Sequence, residues 1–361
     1  MKKKILIVDD SALMRRVLCD IISTDDRYEV ADTAPDGVKA LELITTKKYD
    51  GVILDVNMPR MTGVELLREL KKRRVRVNIM MASTETREGA ALTIECLELG
   101  AIDFIHKPEN FLDTRDNRFR EKFLSILTAV CESHQKDIGE VPKETITTNK
   151  HFLDIVTRSS RDTASGDMVV ALACSTGGPR ALQYVIPYLP KELAAPVLIV
   201  QHMPQGFTKS LADRMNSISP ITVSEAAEGD VLEAGHVYIA RGGAHMKVRS
   251  QGGKHVIYYT DEPQREGVKP CANYMYESLI DSRYSKVLCV VLTGMGADGT
   301  EGIVNLSQKK KIHVIAQDEA TSAVYGMPRS IAATGKADQV VALQQIAQEI
   351  IMNVGVNNHG C

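Results

Sequence analysis

The chain has no Cys-x-x-Cys pair, no apolar run approaching the ~18 residues of a bilayer span, and a formal net charge of only −2. Each absence removes a class of function. Its seven cysteines, at positions 19, 96, 131, 174, 271, 289 and 361, are odd in number and scattered, which argues against a disulfide framework or a zinc site. Three lysines follow Met1, but only four apolar residues come after them before Asp9 and Asp10. A secretory core needs roughly 7 to 15 apolar residues, so a cytoplasmic protein without membrane insertion is expected. The 44 basic and 46 acidic residues are interspersed, which gives no electrostatic case for a nucleic-acid partner. The densest basic cluster, Lys71-Lys72-Arg73-Arg74, follows an amphipathic stretch and reads as a solvated helix end, where cations suit the helix dipole. A transcription factor is disfavoured too, because no basic helix-turn-helix follows the first βα unit.

What is present is two sets of apolar strands with different chemistry at their ends. At 361 residues and 44% hydrophobic content the chain is long enough for two cores. Residues 1–125 alternate short apolar runs with amphipathic stretches at 11–23, 36–46 and 87–99, and a helical pattern over 117–130 closes the unit. This βα alternation predicts a doubly wound sheet. Residues 126–166 read as a helix end and an interdomain linker, polar and aperiodic from about 135, with one short amphipathic turn at 151–156. A second domain is expected over 167–352, and 353–361 reads as a frayed polar tail.

In the first domain the strands end in acids, a hydroxyl and an ammonium. Residues 4–8 run into Asp9 and Asp10, 51–54 into Asp55, 78–82 into Ser83 and Thr84, and 102–106 into Lys107 and Pro108. One aspartate at a strand end is ordinary turn chemistry. Three in one unit gather negative charge that a divalent cation offsets, leaving Asp55 as a nucleophile toward a phosphoryl donor. Lys107 would pair with the phosphoryl oxygens and Ser83 would hydrogen-bond them. With Met58-Pro59 and Gly63 behind Asp55, residues 1–125 resemble the receiver domain of two-component response regulators. That resemblance implies a flavodoxin-like fold, Mg2+ held by Asp9, Asp10 and Asp55, and phosphorylation of Asp55 by a histidine kinase. Thr84, where many receivers carry a smaller residue, departs from the pattern and bears on the lifetime of the phosphoryl group.

In the second domain three apolar runs each end in a different member of a Ser/His/Asp set. Met168–Cys174 precedes Ser175, residues 196–201 precede His202, and 286–292 precede a Gly-rich turn carrying Asp298. Short apolar runs separated by helix-length stretches read as buried parallel strands, whose carboxyl ends share one edge. A hydroxyl, an imidazole and a carboxylate on that edge suit acyl transfer. Singly, Ser175 in Ser-Thr-Gly-Gly reads as a helix cap, and His202 reads as a structural histidine. The turn is not the G-x-S-x-G elbow of α/β-hydrolases. Cys174 is set aside as nucleophile because strand alternation turns it away from Ser175. His245 is the one other histidine in a comparable strand-end position.

Gly294-Met-Gly-Ala-Asp-Gly299 also fits a dinucleotide fingerprint, with Asp318 and Glu319 about 20 residues on, which leaves a phosphorylation-regulated nucleotide-binding module as the alternative. Against it, Asp298 sets a carboxylate inside a loop that should approach a pyrophosphate. Asp318 also ends an apolar run and is the rival acid for His202. Together, Ser-Thr-Gly-Gly, Gln-His-Met-Pro and Thr293-Gly-Met-Gly-Ala-Asp-Gly299 resemble the catalytic domain of the chemotaxis response regulator protein-glutamate methylesterase family. The resemblance implies a doubly wound parallel-sheet methylesterase domain hydrolysing glutamate γ-methyl esters on methyl-accepting chemoreceptors, with glutamine deamidation beside it and no cofactor for the hydrolysis. Ser175 would be the nucleophile, His202 the base and Asp298 its orienter, with backbone N–H groups at Met295 and Thr176 receiving the oxyanion.

Overall fold

The computed structural model describes residues 1–83, 87–107, 117–133 and 168–357. The chain divides into two compact units, 1–135 and 136–361. Thr84, Pro108, the linker from 134 to 167 with its expected turn at 151–156, and residues 358–361 lie outside the described residues.

In the first unit β1 (Lys3–Val8), β2 (Tyr28–Ala34), β3 (Gly51–Asp55), β4 (Ile79–Ser83) and β5 (Asp103–His106) form a parallel sheet in the order β2-β1-β3-β4-β5. The central strands β3 and β4 are buried along their whole length, as expected of strands covered by helices on both faces. The helices α1 (Ala12–Ile22), α2 (Gly37–Thr46), α3 (Gly63–Lys72), α4 (Arg87–Leu99) and α5 (Asn117–Glu132) fall where the 3.6-residue pattern put them. Ser11 and Asp36 cap α1 and α2 through their side chains, and Thr62 with Glu65 makes a reciprocal capping box on α3. Lys71 and Lys72 occupy the last turn of α3. The expected boundary at 125 falls inside α5, which keeps burying Ile126, Leu127, Ala129 and Val130. Among strands in this order the direction of winding reverses between β1 and β3, and Asp9, Asp10 and Asp55 sit at the carboxyl ends of those two strands.

The second unit holds a seven-stranded sheet: β6 (Met168–Cys174), β7 (Val197–Gln201), β8 (Thr222–Glu225), β9 (His236–Ile239), β12 (Lys286–Val291), β13 (Lys311–Gln317) and β14 (Gln339–Val341). Its order is β14-β13-β12-β6-β7-β9-β8, and every neighbouring pair is parallel. A separate antiparallel hairpin joins β10 (His245–Gln251) to β11 (Lys254–Thr260). The helices are α6 (Gly178–Leu182), α7 (Phe207–Ile218), α8 (Ala272–Ser278), α9 (Thr300–Ser307), α10 (Gly326–Ala333) and α11 (Leu343–Val354). The chain winds outward from β6 through β7 and then returns to the other side of β6 as β12, so the reversal lies at β6 and puts Ser175 in the crevice it creates. The first part of the expected frayed tail is ordered. α11 runs to Val354, Val356 bridges Leu193, and Asn357 N–H donates to the Glu192 carbonyl at 2.7 Å. Burial of Ile350, Ile351 and Val354 against the domain carries the helix past 352.

No helix among the described residues is long and apolar enough to cross a membrane.

Candidate active site and phosphoacceptor pocket

At the sheet edge of the second unit, Ser175 and His202 follow Cys174 and Gln201, which are paired residues of β6 and β7. Parallel strands lie ~4.8 Å apart, so the two turns emerge side by side. His202 N–H donates to the Cys174 carbonyl at 3.2 Å, and Ser175 N–H to the Thr293 carbonyl at 3.0 Å. The third turn is thereby tied to the first. A Cβ added to Gly294 would stand 2.8 Å from Ser175 Cβ, so only glycine lets the 294–296 turn lie against the serine.

His202 Nε2 and Asp298 Oδ2 are 2.7 Å apart, and Asp298 is 2% exposed. Burial alone would raise the Asp298 carboxyl. The His202 hydrogen bond and charge, with donors from Cys271 and Ala272, outweigh burial and hold it below the usual carboxylate range. Asp298 engages Nε2, which leaves Nδ1 as the second ring nitrogen of His202. Among the described residues the Ser175 hydroxyl makes no hydrogen bond to His202. Asp318 is elsewhere occupied: its Oδ1 accepts from Thr321 N–H at 2.9 Å and from the Thr321 hydroxyl at 2.5 Å, closing its own turn.

The two nominated oxyanion positions differ in setting. Met295 is 40% exposed at the mouth of the turn, whereas Thr176 is buried and its carbonyl accepts the Thr293 hydroxyl at 2.9 Å. Cys174 is fully buried, with its thiol on Gln201 Oε1 at 3.0 Å and its pKa raised by burial, so it is a neutral donor. His245 is equally buried, its Nδ1 accepting from Cys271 N–H.

Sequence reasoning missed the residues that fasten these turns together. Gln201 Nε2 donates to the Ser175 carbonyl at 3.0 Å and to the His202 carbonyl at 3.3 Å, joining nucleophile and base turns through one amide. A side chain on Gly178 would collide with that amide. Gln317 Oε1 accepts Thr293 N–H at 2.8 Å, while Asn273 Oδ1 accepts the N–H groups of Gly299 and Gly302. A signal existed for the glutamines: Gln201 closes an otherwise apolar, fully buried strand, and Gln317 closes the buried half, Val314–Gln317, of β13. The Asn273 bonds also remove the nucleotide alternative. Those N–H groups, at the start of α9, are the ones a pyrophosphate would need, and a buried side chain already holds them.

In the first unit, Lys107 Nζ lies 2.6 Å from Asp9 Oδ2 and 2.7 Å from Asp55 Oδ2. Ligand oxygens of Asp9, Asp10 and Asp55 all fall within 4.8 Å of one another. Asp9 Oδ2 is buried and, for all its closeness to the Lys107 ammonium, makes no aligned hydrogen bond, so it retains capacity for a hard cation. Burial pushes the Asp55 carboxyl up to about 6; Lys107 opposes the rise, and Asp9 and Asp10 add to it. Ser83 faces α4: its hydroxyl accepts from Thr93 Oγ1 at 2.6 Å, and Thr93 is completely buried.

Comparison with known proteins finds a match for each of the two units. Residues 170–350 match the family model of CheB methylesterase, and residues 5–116 match that of the response regulator receiver domain. The chain is 41% identical to a protein-glutamate methylesterase/protein-glutamine glutaminase of Pyrococcus horikoshii, over 99% of this chain and 95% of that protein. A protein of the same name from Geobacillus kaustophilus is 38% identical over 98% of this chain and 99% of its own length. The crystal structure of the CheB methylesterase catalytic domain of Thermotoga maritima covers 53% of this chain and 100% of its own, with 41% identity and a TM-score of 0.51. With a receiver domain leading and a methylesterase domain following, and with relatives of this identity matched over nearly their whole length, the chain belongs to the CheB methylesterase family.

Proposed function

We propose that the chain is a phosphorylation-activated protein-glutamate methylesterase, working from the cytoplasm on glutamate γ-methyl esters of chemoreceptors and deamidating receptor glutamines by the same chemistry. The observation that carries this reading is the 2.7 Å His202–Asp298 bond, made beside the turn from which Ser175 emerges. Ser175 Oγ attacks the ester carbonyl while His202 takes its proton through Nδ1, and the imidazolium then protonates the departing methoxide, leaving methanol and an acyl-serine. Water, deprotonated by the same nitrogen, cleaves the acyl-serine to the free glutamate. Asp298 holds the tautomer and offsets the imidazolium charge. Backbone N–H groups at Met295 and Thr176 receive the oxyanion; the close approach of the 294–296 turn to Ser175 supports that assignment. For a glutamine substrate the leaving group is ammonia.

In the receiver domain the Asp55 carboxylate attacks the phosphorus of a histidine-kinase phosphohistidine, the P–N bond breaks, and an aspartyl phosphate forms. Mg2+, held by Asp9, Asp10 and Asp55, would supply the positive charge that lets a phosphoryl group approach this acidic cluster. Lys107 then exchanges its carboxylate partner for a phosphoryl oxygen, and Ser83 reaches the phosphoryl group by leaving Thr93. Methanol release from methylated receptor membranes, with and without a small phosphodonor, tests the reading. The donor should stimulate the wild type and fail to stimulate Asp55→Asn, and Ser175→Ala should release no methanol above background. Near wild-type release by Ser175→Ala would sink the assignment.

A further inference from the structure

Asp298 has two carboxylate oxygens, and the structure fills both. Oδ2 accepts from His202 Nε2 at 2.7 Å and from Ala272 N–H at 2.6 Å; Oδ1 accepts from Asn273 N–H at 3.0 Å and from the Cys271 thiol at 3.0 Å. Three of these donors come from consecutive residues at the start of α8. Two are backbone groups that almost any residue would provide. The thiol alone depends on which side chain stands there.

The backbone of Cys271 is itself held. Its N–H donates to His245 Nδ1 at 3.2 Å, so the imidazole proton is on Nε2, which points to the Glu262 carbonyl at 3.1 Å. His245 is fully buried, with the Tyr274 ring edge-on at 4.7 Å. Burial, then Lys269, lowers its pKa, which keeps it neutral. Cys271 is also fully buried, and burial followed by the Asp298 charge raises its thiol pKa, so Sγ keeps its proton. Beside them lies Tyr276, whose phenol is raised by burial and donates to the Ala171 and Val290 carbonyls. Glu262, Lys269 and Asp261 are charged groups around His245, and each is paired, Glu262 with Lys247 and Lys269 with Asp261.

We propose that Cys271 is a positioning residue for ester hydrolysis, its thiol proton committed to Asp298 Oδ1 and its backbone clamped by His245, so that Asp298 Oδ2 is fixed on the imidazole with part of its charge withdrawn. The proposal rests on the reading of Ser175, His202 and Asp298 as the reacting set. Removing the thiol leaves a more basic carboxylate that is freer to rotate. A more basic carboxylate holds the imidazolium harder, and hydrolysis requires neutral imidazole, so the acid limb of kcat/KM should move up in pH.

The test uses the full-length protein with phosphodonor and methylated receptor membranes, and follows kcat and KM across the acid limb for wild type, Cys271→Ala, Cys271→Ser and Asp298→Asn. Cys271→Ala should lower kcat about three- to tenfold, the worth of one modest hydrogen bond, with KM little changed. Its acid limb should rise by a few tenths to roughly one pH unit. Cys271→Ser, which restores a donor, should return kcat and place the limb at or below the wild-type position. A Cys271→Ala limb that stays in place, or a Cys271→Ser limb above the wild type, overturns the proposal, and the serine variant decides it alone if the alanine variant fails to fold. If Asp298→Asn keeps wild-type activity, the catalytic reading itself has failed. If Asp298→Asn is inactive and Cys271→Ala unshifted, only the role of Cys271 is lost.

Discussion

Replacing Asp298 by Asn keeps the size of the side chain and removes its charge, and the four donors around the carboxylate set the outcome. If the new NH2 takes the Oδ2 position it faces the Ala272 N–H, and His202 must turn Nε2 into an acceptor. The imidazole proton then sits on Nδ1, the nitrogen proposed to take the Ser175 proton, and the base is disabled. If the NH2 takes the Oδ1 position it meets the Asn273 N–H and the Cys271 sulfur; the tautomer survives, but the imidazolium has lost its counter-charge. Either way turnover should fall by about 10⁴-fold, the loss seen when a triad acid becomes an amide. Either rotamer also sets two donors against each other, which should cost about 1–3 kcal/mol of stability. The assay is kcat for methanol release at protein concentrations corrected for folded fraction by circular dichroism. Asp318→Asn serves as comparison: Asp318 closes a local turn with Thr321, so its loss should change turnover only a few-fold. A folded Asp298→Asn enzyme within tenfold of wild type, or a larger loss in Asp318→Asn, would refute the reasoning.

The buried polar groups carry two more predictions. The Asp55 pKa is raised to about 6, so ionising it works against folding: its unfavourable contribution is absent below the unfolded value, grows as pH rises to about 6, and is constant above. Asp55→Asn should therefore stabilise the metal-free protein at neutral pH, by at most about 3 kcal/mol, and the advantage should vanish in acid; urea titrations in EDTA across that range would show it. No stabilisation at neutral pH would contradict the pocket as described. Gln201→Leu should strand the acceptors it serves at Ser175 and His202, lowering stability by about 2–4 kcal/mol and turnover with it. Unfolding curves and kcat measured together check this, and a stable, fully active Gln201→Leu protein would remove the role given to that amide.

Much of this architecture is legible in the sequence because buried parallel strands write themselves as short unbroken apolar runs. The run Met168–Cys174 matches its strand to the residue, and the amphipathic stretch Arg87–Leu99 matches its helix likewise. The residue or turn that follows such a run marks the carboxyl edge, and in an open sheet that edge is where chemistry collects, so Ser175, His202 and Asp298 can be gathered without any tertiary information. The same local logic cannot choose between Asp298 and Asp318, since one lies in the turn after β12 and the other directly follows β13. The choice is made by α8, whose first residues bring three donors to one carboxylate from about 25 positions away, and nothing in the periodicity of the chain encodes that meeting.

The strands from β8 to β11 leave a weaker mark for a related reason. Thr222–Glu225 and the outer ends of the β10–β11 hairpin are only partly buried, so their side chains are under less pressure to be apolar. What hydrophobic patterning conveys is which surface leaves water; it says little about which buried polar groups then satisfy one another. In this protein those pairings decide the site. Gln201 couples the serine and histidine turns, Gln317 and Thr293 seat the glycine turn against them, and Asn273 closes the start of α9 to an anion while Asp298 remains open to the histidine. Each is a polar side chain whose burial is tolerable only because its hydrogen bonds are made, so the set is fixed jointly rather than one residue at a time. A glutamine ending an apolar strand is therefore as informative a sequence feature as the glycines of the turns it holds.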